Sequence, residues 1–135
     1  MFKHILIAVD GSELSEKAMA QGLSLAKALG AKATAVTVTE PWTAMDAGEA
    51  MIAFPLEEYE RSAAADAAKA AGVALATHHA KDQYPAEGII ATAKAKGCDL
   101  IVVASHGRRG LSKLLLGSQT TKVLTQSTIP VLVCR

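Results

Sequence analysis

The chain has 135 residues, the length of one ordinary domain; half of them are hydrophobic and 20% are charged. This composition excludes global disorder and leaves enough apolar material for a core. The net charge of +1 argues against a polybasic protein that binds nucleic acid or a membrane surface.

Five short apolar runs predict the strands of a sheet. Most are rich in β-branched residues and lack polar alternation, which is typical of strands buried on both faces. The third run is rich in alanine and is the least typical of a strand. The runs cover residues 5–9, 33–38, 73–76, 100–104 and 130–134.

The segments between these runs have the spacing of amphipathic helices. In the first segment, apolar positions recur at steps of three and four, between Ser12 as the N-cap and Gly30 as the C-cap. Glycine or proline bounds the other predicted helices. These cover residues 55–71 before Gly72, a segment from Pro85 to a stop at Gly97, and residues 117–127 before Pro130.

Strands that alternate with helices predict a parallel sheet with right-handed crossovers. We therefore expect an α/β three-layer sandwich with a five-stranded parallel sheet, Rossmann-like or flavodoxin-like, in a single domain over residues 1–135.

Residues 40–54 fit neither the pattern of a strand nor the spacing of a helix. This segment is long for a connection in a compact domain, so it is either a surface loop or a functional lid.

We predict a cytoplasmic location and no membrane association. No apolar stretch approaches the roughly 18 residues of a membrane helix, and the first apolar run is shorter than the core of a signal peptide. Cys98 and Cys134 both lie in apolar runs, which indicates buried, reduced thiols rather than a disulfide framework.

Asp10 is the first candidate for a functional residue. In an open parallel sheet, ligands bind at the carboxyl ends of strands, at the point where the strand order reverses. Asp10 ends the first apolar run and precedes a helix. Its carboxylate either closes an Asx turn at the start of that helix or faces a hydroxyl or amine of a ligand.

The end of the fourth run has the features of a phosphate site. It leads into a glycine-containing loop with Arg108 and Arg109, and then into a predicted helix that starts at Gly117. A helix N-terminus offers free amides and a partial positive charge to a phosphate. Residues 100–135 contain five basic residues and no acidic one. Glycines at such connections also occur for purely steric reasons, so that alternative stays open.

Three parts of the chain together resemble the universal stress protein family. They are ILIAVDGS at residues 5–12, SHGRRG at 105–110, and LLGS at 115–118 followed by PVLV at 130–133. The resemblance covers essentially the whole chain, in order. It implies the Rossmann-like fold of the adenine nucleotide alpha hydrolase-like proteins.

Nucleotide-binding members of that family carry Gly, two residues, Gly, nine residues, Gly, and then Ser or Thr. Gly107, Gly117 and Ser118 match this pattern, while Ala104 stands where the first glycine would be. Its methyl group could crowd a ribose or an α-phosphate. The resemblance implies a bound ATP, or AMP or ADP, with Mg²⁺ recruited by the phosphates.

The resemblance also implies the binding residues, position by position. Ala8, Val9 and Asp10 would line the adenine and ribose, and Val38 would meet the adenine through its backbone. Val103 and Ala104 would border the ribose. His106 would be a further binding residue. The residues that would surround the phosphates are Gly107, Arg108, Gly117, Ser118, Gln119 and Thr120.

The leading functional hypothesis is a cytoplasmic stress-response protein that binds an adenine nucleotide as a sensor or switch. One alternative is slow ATP hydrolysis or self-phosphorylation on Ser118 or Thr120, with His106 or Asp10 as the base. Another is an interaction module that binds no nucleotide. We predict no hydrolytic triad, because Ser105 and His106 are adjacent, and no metal site formed by the side chains alone.

The last apolar run, residues 130–134, predicts a homodimer. It is uncharged until Arg135, and no covering helix follows it. Such a strand at the edge of a sheet favours pairing with a second copy. The family resemblance implies the same assembly.

Overall fold

The computed structural model describes residues 1–39, 56–81, 83–106 and 116–135, with residues 56–62 described by their backbone alone. The segment 40–54, predicted as a loop or lid, lies outside these residues. Strands and helices alternate along the described chain. In order they are β1 (His4–Ala8), α1 (Glu13–Leu29), β2 (Lys32–Thr39), α2 (Leu56–Ala71), β3 (Leu75–Lys81), α3 (Pro85–Ala95), β4 (Leu100–Ala104), α4 (Ser118–Gln126) and β5 (Val131–Cys134).

The strands form one five-stranded parallel sheet in the order β3-β2-β1-β4-β5. Helices α1 and α2 pack on one face of the sheet, and α3 and α4 pack on the other. The predicted α/β three-layer sandwich is therefore confirmed. The chain order reverses between β1 and β4, so the topological switch point lies at the centre of the sheet.

The core occupies both faces of the sheet, which explains the continuous apolar runs. In β1, Ile5 and Ile7 face α1, while Leu6 faces α3 and α4, and all three side chains are fully buried. In β4, Val102 faces α1, while Ile101 faces α3 and α4. Each such side chain stabilises the fold by roughly 1.5–3 kcal/mol relative to exposure.

Strand β3 is the one element whose position differs clearly from the prediction. The run at 73–76 predicted a strand there, whereas β3 starts at Leu75 and continues to Lys81. Strand β3 lies at an edge of the sheet, where polar side chains such as those of Thr77 and His78 remain accessible. An apolar run is therefore a poor guide to its limits, because backbone pairing with β2 decides them.

Helix α1 has the ends that its sequence predicts. The Ser12 side chain accepts a hydrogen bond from the Ser15 amide, and Gly30 ends the helix in the left-handed conformation at a φ of 66°. Gly22 allows a close approach to the sheet. A Cβ atom at Gly22 would lie 2.7 Å from Cδ1 of Ile7 and 3.6 Å from Cγ1 of Val102.

A polar cluster closes the amino end of the sheet. The Asp99 carboxylate accepts hydrogen bonds from the amides of Lys3 and His4 at 2.9–3.2 Å. Although burial opposes the charge, these amides hold the pKa of the Asp99 carboxyl below its usual value. The His4 Nε2 atom lies 2.7 Å from Thr34 Oγ1 in the interior. Burial and the nearby Lys32 lower the pKa of His4.

Candidate functional site

The carboxyl ends of β1 and β4 diverge at the switch point. The two strands pair only as far as Ile7 and Val102. Beyond that level β1 still pairs with β2 at Ala8, and β4 still pairs with β5 at Ala104. Each strand thus follows its outer neighbour beyond that level. In sheets of this topology, the crevice that binds ligands lies at this point.

The β1 side of the crevice is formed by half-buried residues at the end of the strand. The Val9 amide donates a hydrogen bond to the Val36 carbonyl at 2.9 Å, so the backbone is fixed up to that residue. Asp10 Oδ1 accepts a hydrogen bond from the Ser12 amide at 2.9 Å, which is the Asx turn that the sequence allowed. The contact between Asp10 and a ligand remains a prediction.

Val38, which was expected to meet adenine through its backbone, lies in β2 opposite Ala80 of β3. Its side chain points towards α3, since a Cβ atom at Gly88 would lie 3.0 Å from both of its methyl groups. The side chain is therefore part of the packing between the sheet and α3. Any contact with a ligand would involve the Val38 backbone.

The β4 side of the crevice holds the start of α4. Val103 is buried in the core, where its side chain packs. The Gly117 amide donates to the Ser105 carbonyl at 2.7 Å. The Thr120 hydroxyl donates to the Ala104 carbonyl, also at 2.7 Å. These two bonds fix the first turn of α4 against the end of β4.

The first turn of α4 has the electrostatics of an anion site. Gly117 is the N-cap residue, its conformation is extended, and as a glycine it has no side chain that could cap the helix. The first turn contains no acidic residue. By helix geometry, the amides of Ser118, Gln119 and Thr120 have no partner inside the helix, and they carry its partial positive charge.

Two of the three polar side chains in this turn bind other parts of the protein. Thr120 is buried and donates to Ala104, and Gln119 Oε1 accepts a hydrogen bond from the Ala86 amide of α3 at 3.1 Å. The family resemblance implies that Gln119 and Thr120 surround phosphates, and that contact remains a prediction. Ser118 is the exposed one of the three, so its hydroxyl is the accessible one.

The contact between Gln119 and α3 was missed at the level of sequence, although a signal for it exists. Proline occupies the first position of α3, and Tyr84 before it provides no side-chain cap. A helix that lacks a capping residue of its own needs another partner for its first amides. The sequence does not say which distant residue supplies it.

The remaining predicted residues are only partly described. His106 is half-buried, and its Nδ1 atom lies 3.2 Å from the hydroxyl of Ser105. Gly107 and Arg108 lie outside the described residues. Of the two glycines that match the family motif, Gly107 and Gly117, the structure therefore describes Gly117.

A further cluster of polar side chains lies on the neighbouring strands β2 and β3. His79 of β3 has its two ring nitrogens 2.8 Å from the hydroxyls of Thr37 and Thr39.

Within the described ranges, no group of three or more His, Cys, Asp or Glu side chains could hold a metal ion. No helix in the same ranges has the length and apolarity to span a membrane.

Comparison with known proteins identifies the family. The family model described as the Universal stress protein family matches residues 1–135. The chain belongs to this family. The universal stress protein YxiE of Bacillus subtilis is 36% identical to it over the full length of both chains. The prediction from the sequence motifs is therefore confirmed.

Solved structures of universal stress proteins and their relatives share the fold. The protein MJ0577 of Methanocaldococcus jannaschii is 28% identical, with a TM-score of 0.77 over 99% of this chain and 96% of the other. A universal stress protein solved in complex with cAMP is 26% identical, with a TM-score of 0.75 over 99% of this chain and 97% of the other.

Proposed function

We propose that residues 1–135 act as one domain that binds an adenine nucleotide in the crevice between β1 and β4. We further propose that it serves as a cytoplasmic sensor or switch in a stress response. The divergence of β1 and β4, with the first turn of α4 fixed beside it, is the observation that carries the proposal. The complex of a related universal stress protein with cAMP supports an adenine nucleotide as the ligand.

The proposed binding mode separates the two ends of the nucleotide. Adenine and ribose would lie against the backbone at Ala8, Val9 and Val38, with the Asp10 carboxylate near the ribose hydroxyls. Val103 and Ala104 would border the ribose from the β4 side. The Ala104 methyl, which stands where the motif has its first glycine, would limit how closely the sugar approaches.

The phosphates would lie at the first turn of α4. Gly117, the exposed Ser118 hydroxyl and the amides of this turn would bind them, together with His106, Gly107 and Arg108 from the preceding loop. Gln119 and Thr120 would contribute their backbone amides, since their side chains bind Ala86 and Ala104. Mg²⁺ would enter with ATP, coordinated by the phosphates. Each charge-assisted hydrogen bond would contribute on the order of 1.5–3 kcal/mol.

The cytoplasmic location rests on the cysteines. Cys98 and Cys134 are both free and buried. Burial raises the pKa of the Cys98 thiol to about 11 and also raises the pKa of Cys134. Such thiols are unreactive, and unpaired cysteines are typical of a reducing compartment.

Titration calorimetry with ATP, AMP and adenosine tests this function on the wild type and on Ser118→Asp. A carboxylate at the first position of α4 favours the helix but repels a phosphate. We expect ATP affinity to fall by about tenfold or more, because a charge-assisted bond is replaced by repulsion. Adenosine affinity should change by less than about twofold, since adenosine carries no phosphate.

Ser24→Asp is the matched control, because Ser24 is an exposed serine in the middle of α1. It adds the same charge at a different part of the surface and should leave ATP affinity unchanged. The absence of binding heat for folded wild-type protein at millimolar ATP would contradict the proposal. Equal ATP affinity of Ser118→Asp and the wild type would place the phosphates elsewhere.

We also propose that the protein forms a homodimer through residues 130–134. In the described sheet, strand β5 pairs with β4 alone and ends the sheet on that side. Leu132 of β5 is a large apolar side chain that remains exposed. An edge strand with unpaired backbone groups and an exposed leucine side chain favours pairing with a second copy.

A further inference from the structure

The start of α3 needs a partner that its own sequence does not provide. Its first residue, Pro85, has no amide hydrogen, and Tyr84 before it makes no side-chain cap. The next residue, Ala86, is 1% exposed, so water cannot satisfy its amide. A buried amide without an acceptor would destabilise this end of the helix.

Gln119 supplies the acceptor from the neighbouring helix. Its Oε1 atom lies 3.1 Å from the Ala86 amide nitrogen, 33 positions away in sequence. Helices α3 and α4 pack on the same face of a parallel sheet, so both begin at its carboxyl edge. The electronegative oxygen of Gln119 therefore lies where the positive ends of two helices meet, which is favourable for both.

The first turn of α4 is thus held from two directions. The bonds of Gly117 and Thr120 connect it to the end of β4 at 2.7 Å. The bond of Gln119 connects it to α3. The bonds to β4 fix the distance of the turn from the sheet, and the bond to α3 opposes rotation of the turn about the α4 axis.

We propose that Gln119 is a positioning residue, which caps α3 and thereby orients the first turn of α4 for phosphate. This inference rests on the proposed function, because the phosphate is the group that the oriented amides would meet. In this arrangement the Gln119 side chain does not contact the nucleotide. Its effect on binding passes through the orientation of the Ser118, Gln119 and Thr120 amides.

Two substitutions at Gln119 test the cap and its effect on phosphate binding. Gln119→Ala removes the acceptor for Ala86. Gln119→Glu keeps an acceptor oxygen at the same distance along the side chain, and adds a negative charge that suits two helix N-termini but repels phosphate. Gln126→Ala is the matched control, because Gln126 is an exposed glutamine at the other end of α4.

The experiment combines amide hydrogen exchange by NMR, without nucleotide, with calorimetry using ATP and adenosine. For Gln119→Ala we expect the Ala86 amide to exchange about tenfold faster, the effect of losing one hydrogen bond. ATP affinity should fall by about fivefold, and adenosine affinity should stay within about twofold of the wild type. For Gln119→Glu we expect slow exchange of Ala86 together with weaker ATP binding. Gln126→Ala should match the wild type in both measurements.

Three outcomes would overturn the proposal. Unchanged Ala86 exchange in Gln119→Ala would show that Gln119 does not cap α3. Faster exchange with unchanged ATP affinity would show that the cap does not orient the binding turn. A wild type that binds no ATP would overturn the proposed function and the role of Gln119 in binding. The exchange of Ala86 without nucleotide would then still confirm or refute the cap.

Discussion

At the residue scale, two polar side chains in the first turn of α4 make hydrogen bonds to other parts of the protein. The Thr120 hydroxyl binds the end of β4, and Gln119 binds the start of α3. Both residues follow Ser118 in the first turn of α4, yet Ser118 differs from them by being exposed. Within one helical turn, two side chains thus hold the turn in place while the third remains accessible to solvent.

His4 makes the stability of the fold depend on pH. Burial, and after it the charge of Lys32, lowers the pKa of His4, while the backbone of Lys96 and the carboxylate of Asp99 act in the opposite direction. Between this lowered pKa and the ordinary value of 6.5, the unfolded chain binds more protons than the folded one. The free energy of unfolding should therefore fall as the pH falls through the ordinary value.

Urea unfolding at several values between about pH 7.5 and pH 5 measures this contribution. We expect the wild type to lose more stability across this range than His4→Gln, whose amide can still bond to Thr34 but does not titrate. His78→Gln, on the edge strand β3, should retain the pH dependence of the wild type. If the free energy of unfolding changed equally with pH in the wild type and in His4→Gln, His4 would have the same pKa in the folded and unfolded states.

At the scale of elements, Gly22 determines how closely α1 approaches the sheet. A methyl group at this position would contact the fully buried Ile7 at under 3 Å, so Ile7 would have to move within a filled core. Overpacking of this kind costs about 1–3 kcal/mol. The gain in helix propensity from glycine to alanine offsets about 1 kcal/mol of that cost.

We therefore expect Gly22→Ala to lower the free energy of unfolding by up to about 2 kcal/mol. Ala20→Gly is the control for propensity, because Ala20 is an exposed alanine of the same helix. It should lower the free energy of unfolding by about 1 kcal/mol through propensity alone. An increase in stability for Gly22→Ala would mean that the space between α1 and β1 is open.

The elements also show what the sequence can and cannot predict. The ends of α1 follow from Ser12 and Gly30 because capping is local chemistry. The limits of β3 could not be read from an apolar run, because pairing at a sheet edge determines them. The capping of α3 by Gln119 joins residues far apart in the chain, and no local pattern contains that information.

At the scale of the whole molecule, the order of strands decides where a ligand and a partner could bind. The reversal between β1 and β4 locates the candidate crevice. The sequence also predicted that β5 lies at an edge, and the structure confirms it. The assembly through this edge remains a proposal.

Light scattering coupled to size-exclusion chromatography tests that assembly with Leu132→Lys. Lysine on an edge strand opposes pairing with another sheet, so we expect the variant to elute as a monomer and the wild type as a dimer. Leu29→Lys is the control, since Leu29 at the end of α1 and Leu132 of β5 are both 38% exposed. A dimeric Leu132→Lys would show that the interface lies elsewhere.

Three register pairs join β1 to β4, fewer than join any other neighbouring strands of the described sheet. The last of these pairs, Ile7 and Val102, lies directly against Gly22 of α1. A molecule bound across this junction would contact both halves of the sheet at once. Its dissociation constant would then depend on core packing that the molecule does not touch. Core variants such as Gly22→Ala would therefore change the affinity measured in a binding assay.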